Sequence, residues 1–227
     1  YWIIIVHSNY FLLNTFNYDV RYVLPEKNGW LISTGINGMK QNSSNKGTEY
    51  LVPEYGLFDV GEFVMVHKSW SKLDISGGIR YDNRFQKGKD LFLDSLGKKA
   101  EADLTNTEHR FAAFNSTFSG ISGSLGMAYQ FSEKVYLKLN ASRGYRAPNI
   151  GELAANGEHE VAGRYEIGDP HLKSESSLQF DIGLGMNTKQ NTAELDLFNN
   201  SINNFVYLHK LSNLAGGDSV IDIANPI

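Results

Sequence analysis

The sequence predicts an all-β fold: an antiparallel transmembrane β-barrel wall, incomplete, amounting to about eight strands of a larger barrel. Three observations carry this expectation. Apolar and polar residues alternate with period two over runs too long for ordinary globular strands. The connections between those runs are alternately short and long. The polar member of each alternation is richly ionic (Lys72, Asp74, Arg80, Lys134, Lys138, Asp181), which suits a wide, wet lumen and not a packed core.

Taken in order, Trp2–Val6 is a short apolar run and an optional first strand. Trp30, Ile32 and Ile36 alternate with polar neighbours. Phe58–Lys68 sets Phe58, Val60, Val64 and Val66 on one face but places Glu62 among them, a cost if that face meets lipid. Lys72–Asp82 is the cleanest case, with Leu73, Ile75, Ile79 and Tyr81 against Lys72, Asp74, Ser76, Arg80 and Asp82. Ile121–Phe131, Lys134–Ser142 and Leu178–Met186 repeat the pattern. Ala193–Leu197 alternates as well, whereas Asn199–Asn204 does not, so that strand is expected to leave the membrane or bulge there. Several of these runs reach about 10–14 residues, against about 5–6 for globular strands and about 9–11 needed for a tilted strand to cross a bilayer.

Leu24–Gly29, Lys68–Lys72, Phe131–Lys134 and Asn187–Asn191 are the short connections; Gly38–Gly56, Asn83–Arg110, Gly144–Lys173 and the stretch after Leu208 are the long ones. Strands running between a tight rim and a ragged rim produce this order, as in outer-membrane barrels with short periplasmic turns and long extracellular loops. A soluble antiparallel sandwich also alternates, but its strands are shorter and its loops need not sort by side.

Composition agrees without deciding. The chain of 227 residues is 41% hydrophobic, 20% charged and 12% aromatic, with 12 Tyr and 13 Phe. Its mean hydropathy of −0.32 looks soluble, because alternation averages a lipid face against a wet one. A net charge of −4 with no basic run argues against nucleic acid as a partner. The absence of cysteine excludes disulfides and thiolate sites. No apolar run approaches the roughly 18–20 residues of a spanning helix. The chain opens on Tyr1 rather than Met, so a missing export signal carries no information.

Residues Asn140–Asn149 read NASRGYRAPN, followed by GEL at Gly151–Leu153 and, further on, GRYEIGDPHLKSESSLQFDIGLG from Gly163 to Gly185. This resembles the barrel of TonB-dependent receptors, where a rising strand ends in Ser-Arg-Gly-aromatic-Arg-Ala-Pro and an acidic-Leu pair. The loop of those receptors returns through Gly-Asn-Pro-x-Leu-Lys-Pro-Glu into a descending strand. The matching positions are Ser142, Arg143, Gly144, Arg146, Ala147, Pro148, Asn149, Glu152, Leu153 and Pro170, with Asp169 in place of the usual Asn and Ser174 in place of the second Pro. Upstream, Leu51–Arg84 is similar to the hairpin of the same receptors that ends in Gly-Gly-x-Arg-Tyr-Asp. The likeness spans Trp30 to Leu208 and is nearest to versions from Bacteroidetes-type bacteria.

The resemblance implies a bacterial outer-membrane receptor, embedded in outer-membrane lipid, that binds a scarce solute at its outer loops. An iron chelate or other metal chelate, haem, a vitamin or a glycan is the class of small solute it implies, with import driven through TonB acting on a plug domain. Residues 1–227 read as partial barrel with no plug domain, and Asn225-Pro226-Ile227 lacks the terminal aromatic strand usual in such barrels. The chain is therefore expected to be a piece of a transporter, with about eight strands of roughly 22, and unable to transport alone. A passive porin or adhesin-like barrel is the alternative, and a soluble carbohydrate-binding β-sandwich the second.

The motif residues read first as architecture. Pro148 disfavours helical geometry at Ala147 and ends the strand; Gly168-Asp169-Pro170 is turn chemistry. Arg143 and Arg146 are expected to pair with Glu152, Glu166 or Asp169. Candidate ligand residues in the same loop are His159, Arg164, Tyr165 and His171. His159 and His171, with Glu158, Glu160 and Asp169, could hold a metal or metal chelate, although a solvated polar loop explains them as well. No HExxH pair exists among the six histidines. Ser119–Ser124 and Ser76-Gly77-Gly78 lack the strand-turn-helix context of a nucleophile elbow or phosphate loop. No catalytic residue, resident metal or cofactor is predicted.

Overall fold

The structure, a computed structural model, describes residues 10–102, 106–159 and 164–210. The strands are β1 (Phe11–Val23), β2 (Trp30–Asn45), β3 (Tyr55–Ser69), β4 (Leu73–Gly88), β5 (Leu91–Leu93), β6 (Lys99–Ala100) and β7 (Glu108–Phe111). There follow β8 (Phe114–Ser132), β9 (Val135–Arg146), the short helix α1 (Ile150–Ala154), β10 (Asn156–His159), β11 (Arg164–Ile167), β12 (Glu175–Asn187) and β13 (Thr192–Asn203). Eight strands form one sheet in the order β1-β2-β3-β4-β8-β9-β12-β13, every neighbour antiparallel, with β1 and β13 as open edges among the described residues. The optional strand at Trp2–Val6 and the terminal Asn225–Ile227 lie outside the described residues.

Tight hairpins close one rim. At Lys27–Trp30, Asn28 (φ 54°) and Gly29 (φ 76°) both occupy the left-handed region. That Asn-Gly pair is the chemistry of a two-residue primed turn, whose twist matches the flanking strands. Residues 70–72, 133–134 and 188–191 make the other tight connections, and the one register shift of the large sheet falls at Gln130/Ser132 on the same rim.

The ladders on the opposite side run higher than the side-chain alternation predicts. Pairing continues to Phe11↔Asn45, Tyr55↔Gly88 and Gly88↔Phe114. The expected connection Gly38–Gly56 shrinks to residues 46–54, and Asn83–Arg110 becomes 89–113 with three short strands of its own. Above the membrane both faces meet water, so alternation fades while the backbone ladder persists. Polar cross-strand contacts replace apolar ones there: Gln41 Nε2 donates to Thr15 Oγ1 (2.9 Å), and the Tyr55 hydroxyl donates to Gln41 Oε1 (2.8 Å). The expected bulge near Asn199–Asn204 is also absent. β13 stays in unbroken register with β12 to Ser176↔Asn203, because backbone pairing does not depend on which side chains alternate.

The faces sort as alternation requires. Ile79 (58% exposed), Leu125 (61%), Phe180 (51%) and Leu195 (62%) all point outward, an apolar surface that a water-soluble sandwich would bury. Among the described residues no second sheet packs on it, which is unlike a soluble sandwich. Aromatic rows bound this surface. Tyr18, Phe58 and Phe85 stack in sequence at 6.4 and 6.2 Å on the upper side. Near the tight rim Trp30 and Trp70 meet edge to face, with Lys68 Nζ 4.9 Å from each ring. Phe85 stands ten residues beyond Ile75, which is level with Trp30 and Lys68. That interval is about 33 Å along the strand, or about 25 Å along the membrane normal at a tilt of about 40°, the height of an outer-membrane apolar band. Glu62 lies inside the band, on the outward face between Ile36 and Tyr81, with no cation beside it among the described residues.

Ile79→Arg, near the middle of the band, is expected to lower unfolding free energy in phospholipid bilayers by about 2–4 kcal/mol. Ser124→Arg on the inner face should change it by no more than about 0.5 kcal/mol. Glu62→Leu should raise the denaturant midpoint, and an unchanged or lower midpoint would mean that this face is not bathed in lipid.

Candidate functional site

The long-connection side carries the polar chemistry. Residues 46–54, 89–113 and 147–174 bridge the strand tops, and side chains tie the three together. Glu54 accepts from Lys89 Nζ (3.4 Å) and Lys99 Nζ (3.0 Å), joining the first loop to the second. Burial opposes ionisation of Glu54, but the two ammonium groups prevail and hold its carboxyl below the ordinary carboxylate range. Arg110 Nη1 donates to the Tyr165 hydroxyl (2.7 Å), which donates to Asn156 Oδ1 (2.8 Å), while Asn156 Nδ2 donates to the Arg110 carbonyl (2.9 Å). This joins the second loop to the third. Burial pushes the Tyr165 hydroxyl up, so it remains a donor. The first and third loops meet where Asn156 N donates to the Leu51 carbonyl (2.9 Å).

The family-like motif forms the base of the third loop. β9 ends at Arg146, whose guanidinium donates to Glu175 (2.5 Å) and to both oxygens of Glu152 (2.8 and 2.9 Å). Glu152 also accepts from Asn149 N (2.8 Å), and Asn149 Oδ1 accepts from Glu152 N (2.9 Å), a capping box that starts α1. Pro148 and Leu153 are among the most completely buried side chains, and Ala147 is buried beside them. Gln86, 2% exposed on the inner face of β4, donates to the Pro148 carbonyl (2.7 Å) and pins the loop to the wall. Gly168 N donates to the Ala155 carbonyl (2.8 Å), and Asp169 N to that of Glu152 (2.8 Å). A Cβ on Gly168 would lie 2.5 Å from Ala154 N, so only glycine permits this closure.

Of the predicted partners, Arg146 takes Glu152, but not Glu166 or Asp169. Arg143 donates to the Ile121 carbonyl (2.8 Å) instead of to a carboxylate. Glu166 pairs with Arg164 (2.8 Å), its neighbour in the same strand, and Asp169 Oδ1 accepts from His171 N (2.8 Å) as an Asx turn. Ser142 pairs across strands with Gln179 and Ser124, and Gly144 with Ser177, while Pro170 follows Asp169 in the turn. Of the candidate ligand residues, Tyr165 is occupied by its structural bonds, whereas Arg164 keeps half its side chain exposed. The His159 side chain and Glu160 lie outside the described residues, and no group of three metal-ligating side chains occurs among those described.

Below the loop base, the inner wall holds a concavity of about 670 Å³ lined by Asp19, Asp59, Arg80, Asp82, Arg84 and Tyr145, among others. Two carboxylates are paired, with Arg84 gripping Asp59 bidentately (2.8 and 2.7 Å) and Arg80 reaching Asp82 (2.6 Å), while Asp19 accepts from the neutral amide of Asn37 (3.1 Å). A wet basin of paired charges can pass or hold polar solutes but offers no poised nucleophile or base. Gln86, Arg110 and Asn156 were not singled out by sequence motifs. The Asp59–Arg84 pair was accessible in principle, since a tight turn at 70–72 sets those two residues opposite each other.

An open antiparallel wall with an apolar outer band, a wet inner face and one elaborate rim defines an outer-membrane β-barrel. The chain belongs to the TonB-dependent receptor-like β-barrel family, whose model matches residues 7–221. That family comprises transport receptors and not enzymes. Among solved structures it is similar to the copper transporter OprC, at 16% identity and a TM-score of 0.65 over 90% of this chain and 32% of that one. It is also similar to the Serratia marcescens hemophore receptor HasR, solved with its hemophore HasA and heme, at 16% identity and TM-score 0.59, covering 86% and 34%. A third similar structure is the FrpB iron transporter (F3-3 variant) from Neisseria meningitidis, at 17% identity and TM-score 0.57, covering 86% and 28%. The chain thus spans about a third of the length of these structures.

Glu152→Ala removes the reciprocal half of the capping box, the acceptor of Asn149 N, and a partner of Arg146 together, while Asn149 Oδ1 keeps the backbone N–H of position 152. The amide of Asn149 and those of Leu153–Ala155 should then exchange about fivefold faster, corresponding to about 1 kcal/mol of lost hydrogen bonding. Because the Glu54 pKa is depressed, its contribution to stability is complete above the ordinary carboxylate range and is lost as pH falls through the lowered value. Protection of residues 89–102 and 106–113, corrected for intrinsic exchange, should therefore hold from pH 7 to about 5 and drop only as pH falls below the ordinary carboxylate range. Glu54→Gln should flatten that profile.

Proposed function

We propose that this wall is part of a TonB-dependent receptor that binds a scarce solute at its outer loops and imports it across the outer membrane. The observation that carries this reading is the family match along nearly the whole chain, combined with loops bound into one assembly over a wet inner face. Transport energy would come from TonB through a plug domain seated in the completed barrel. Copper, haem and iron are the cargoes named for the three similar structures. Metal ions and metal chelates are therefore the solutes to test first, with vitamins and glycans next. Arg164 and His171, together with His159, are the loop groups proposed to meet an anionic chelate, while Tyr165 serves to hold the loops in place.

Cells expressing the full-length receptor should accumulate one labelled metal, chelate, haem, vitamin or glycan only when TonB is active. Arg164→Ala should weaken binding of that solute about tenfold while leaving the barrel folded. Uptake that persists unchanged without TonB would favour the passive-porin alternative.

A further inference from the structure

We infer that the outward surface of the wall carries a site for the phosphorylated headgroup of an outer-leaflet glycolipid, built from Lys40 and Lys87 around a depression between β2, β3 and β4. Strand register places Lys40, Phe58, Phe85 and Thr117 in one cross-strand row. Asn42, Gly56, Lys87 and Asn115 form the next row above it. Apart from Gly56, these residues are exposed, and they alternate along their strands with the inward-facing Leu57 and Gln86, which are buried beneath the loops. The depression, about 310 Å³, therefore opens on the lipid side of the wall and not into the lumen. Gly56 makes its low point: with no side chain between Asn42 and Lys87, the surface drops to the backbone, with the Phe58 and Phe85 rings along its lower edge.

Height and charge select the occupant. Phe58 and Phe85 belong to the upper aromatic row, where hydrocarbon ends. Lys87 stands two residues beyond Phe85, about 7 Å along the strand and about 5 Å further from the membrane centre, which is headgroup level. Neither Lys40 nor Lys87 makes an ion pair or hydrogen bond among the described residues, whereas the next lysine up, Lys89, is paired with Glu54. Two unpaired ammonium groups beside a depression call for a phosphate. The surrounding Asn42, Asn115 and Thr117 offer donors and acceptors of the kind that sugar hydroxyls and acyl amides use, and the two rings offer an apolar flank for acyl chains. A solute entering through the lumen cannot reach this face, so the site is separate from the receptor's cargo path and does not rest on the identity of the cargo.

The test uses the full-length receptor in nanodiscs of phosphatidylcholine doped with either phosphorylated lipid A or the same lipid stripped of its phosphates. After extraction into mild detergent, native mass spectrometry reads the retained lipid. The wild type should keep phosphorylated lipid A and release the stripped form. Lys40→Gln with Lys87→Gln should reduce retention about tenfold, and Lys40→Arg with Lys87→Arg should preserve it. Heat-modifiable migration on gels verifies that the variants remain folded, as expected for side chains that make no bond within the protein. Equal retention of both lipids, unchanged retention in the glutamine variant, or displacement of the lipid by millimolar inorganic phosphate would overturn the assignment.

Discussion

In hydrocarbon no water is present to satisfy a backbone N–H or C=O, so every such group must find its partner in a neighbouring strand. The seven antiparallel ladders of the sheet meet that demand, each between neighbours joined by a hairpin or a long loop. Their register is interrupted only at Gln130/Ser132, near the tight rim where turns and water can absorb the shift. Because the ladders are continuous, side chains have no freedom to drift from face to face. The outer apolar band, the aromatic rows and the ionic inner wall all follow from this. The same demand applies to β1 and β13, whose outer ladders need further strands within a bilayer.

The third loop shows how a polar rim gains rigidity without a hydrophobic core of its own. Apolar burial there is modest, centred on Leu153, Ile150, Pro148 and Ala147. Most of the order comes from groups that each satisfy several partners. Glu152 closes the capping box begun by Asn149 and receives Arg146, Arg146 also holds Glu175 at the start of the returning strand, and Gln86 fastens the turn at Pro148 to β4. A Ser-Arg-Gly-Tyr-Arg-Ala-Pro-Asn run followed by Gly-Glu-Leu is thus a strand end, a turn and a capped helical turn written consecutively. Its work is to set where the loop begins.

The outer wall and the inner wall divide their tasks by the same alternation. Inward residues of β3 and β4 form the paired charges of the basin, while the outward residues between them form the upper aromatic row and the depression beside Lys40 and Lys87. A single-residue slip in one strand would exchange these sets, which gives the register a functional meaning beyond stability.

Much of this was legible in the residues themselves. Period two in Lys72–Asp82 and Leu178–Met186 defined strands and faces, since the pleat leaves no other arrangement. Tight turns such as 70–72 set which residues oppose each other, so even Asp59 opposite Arg84 follows from local information. The extensions at Gly38–Asn45 and Phe114–Gly120 were not legible, because above the membrane both faces are wet and side-chain type no longer reports backbone pairing. Nor were the ties among Glu54, Lys99, Arg110, Asn156 and Tyr165, which join loops far apart in the chain. The approach of Lys40 to Lys87 was not legible either, because it depends on the register of three strands. The sequence alone determined the wall, because one covalent chain with alternating residues can satisfy its backbone in lipid only as a sheet. Tertiary structure decided the sites, because contacts between loops and across several strands depend on register and closure that no single segment encodes.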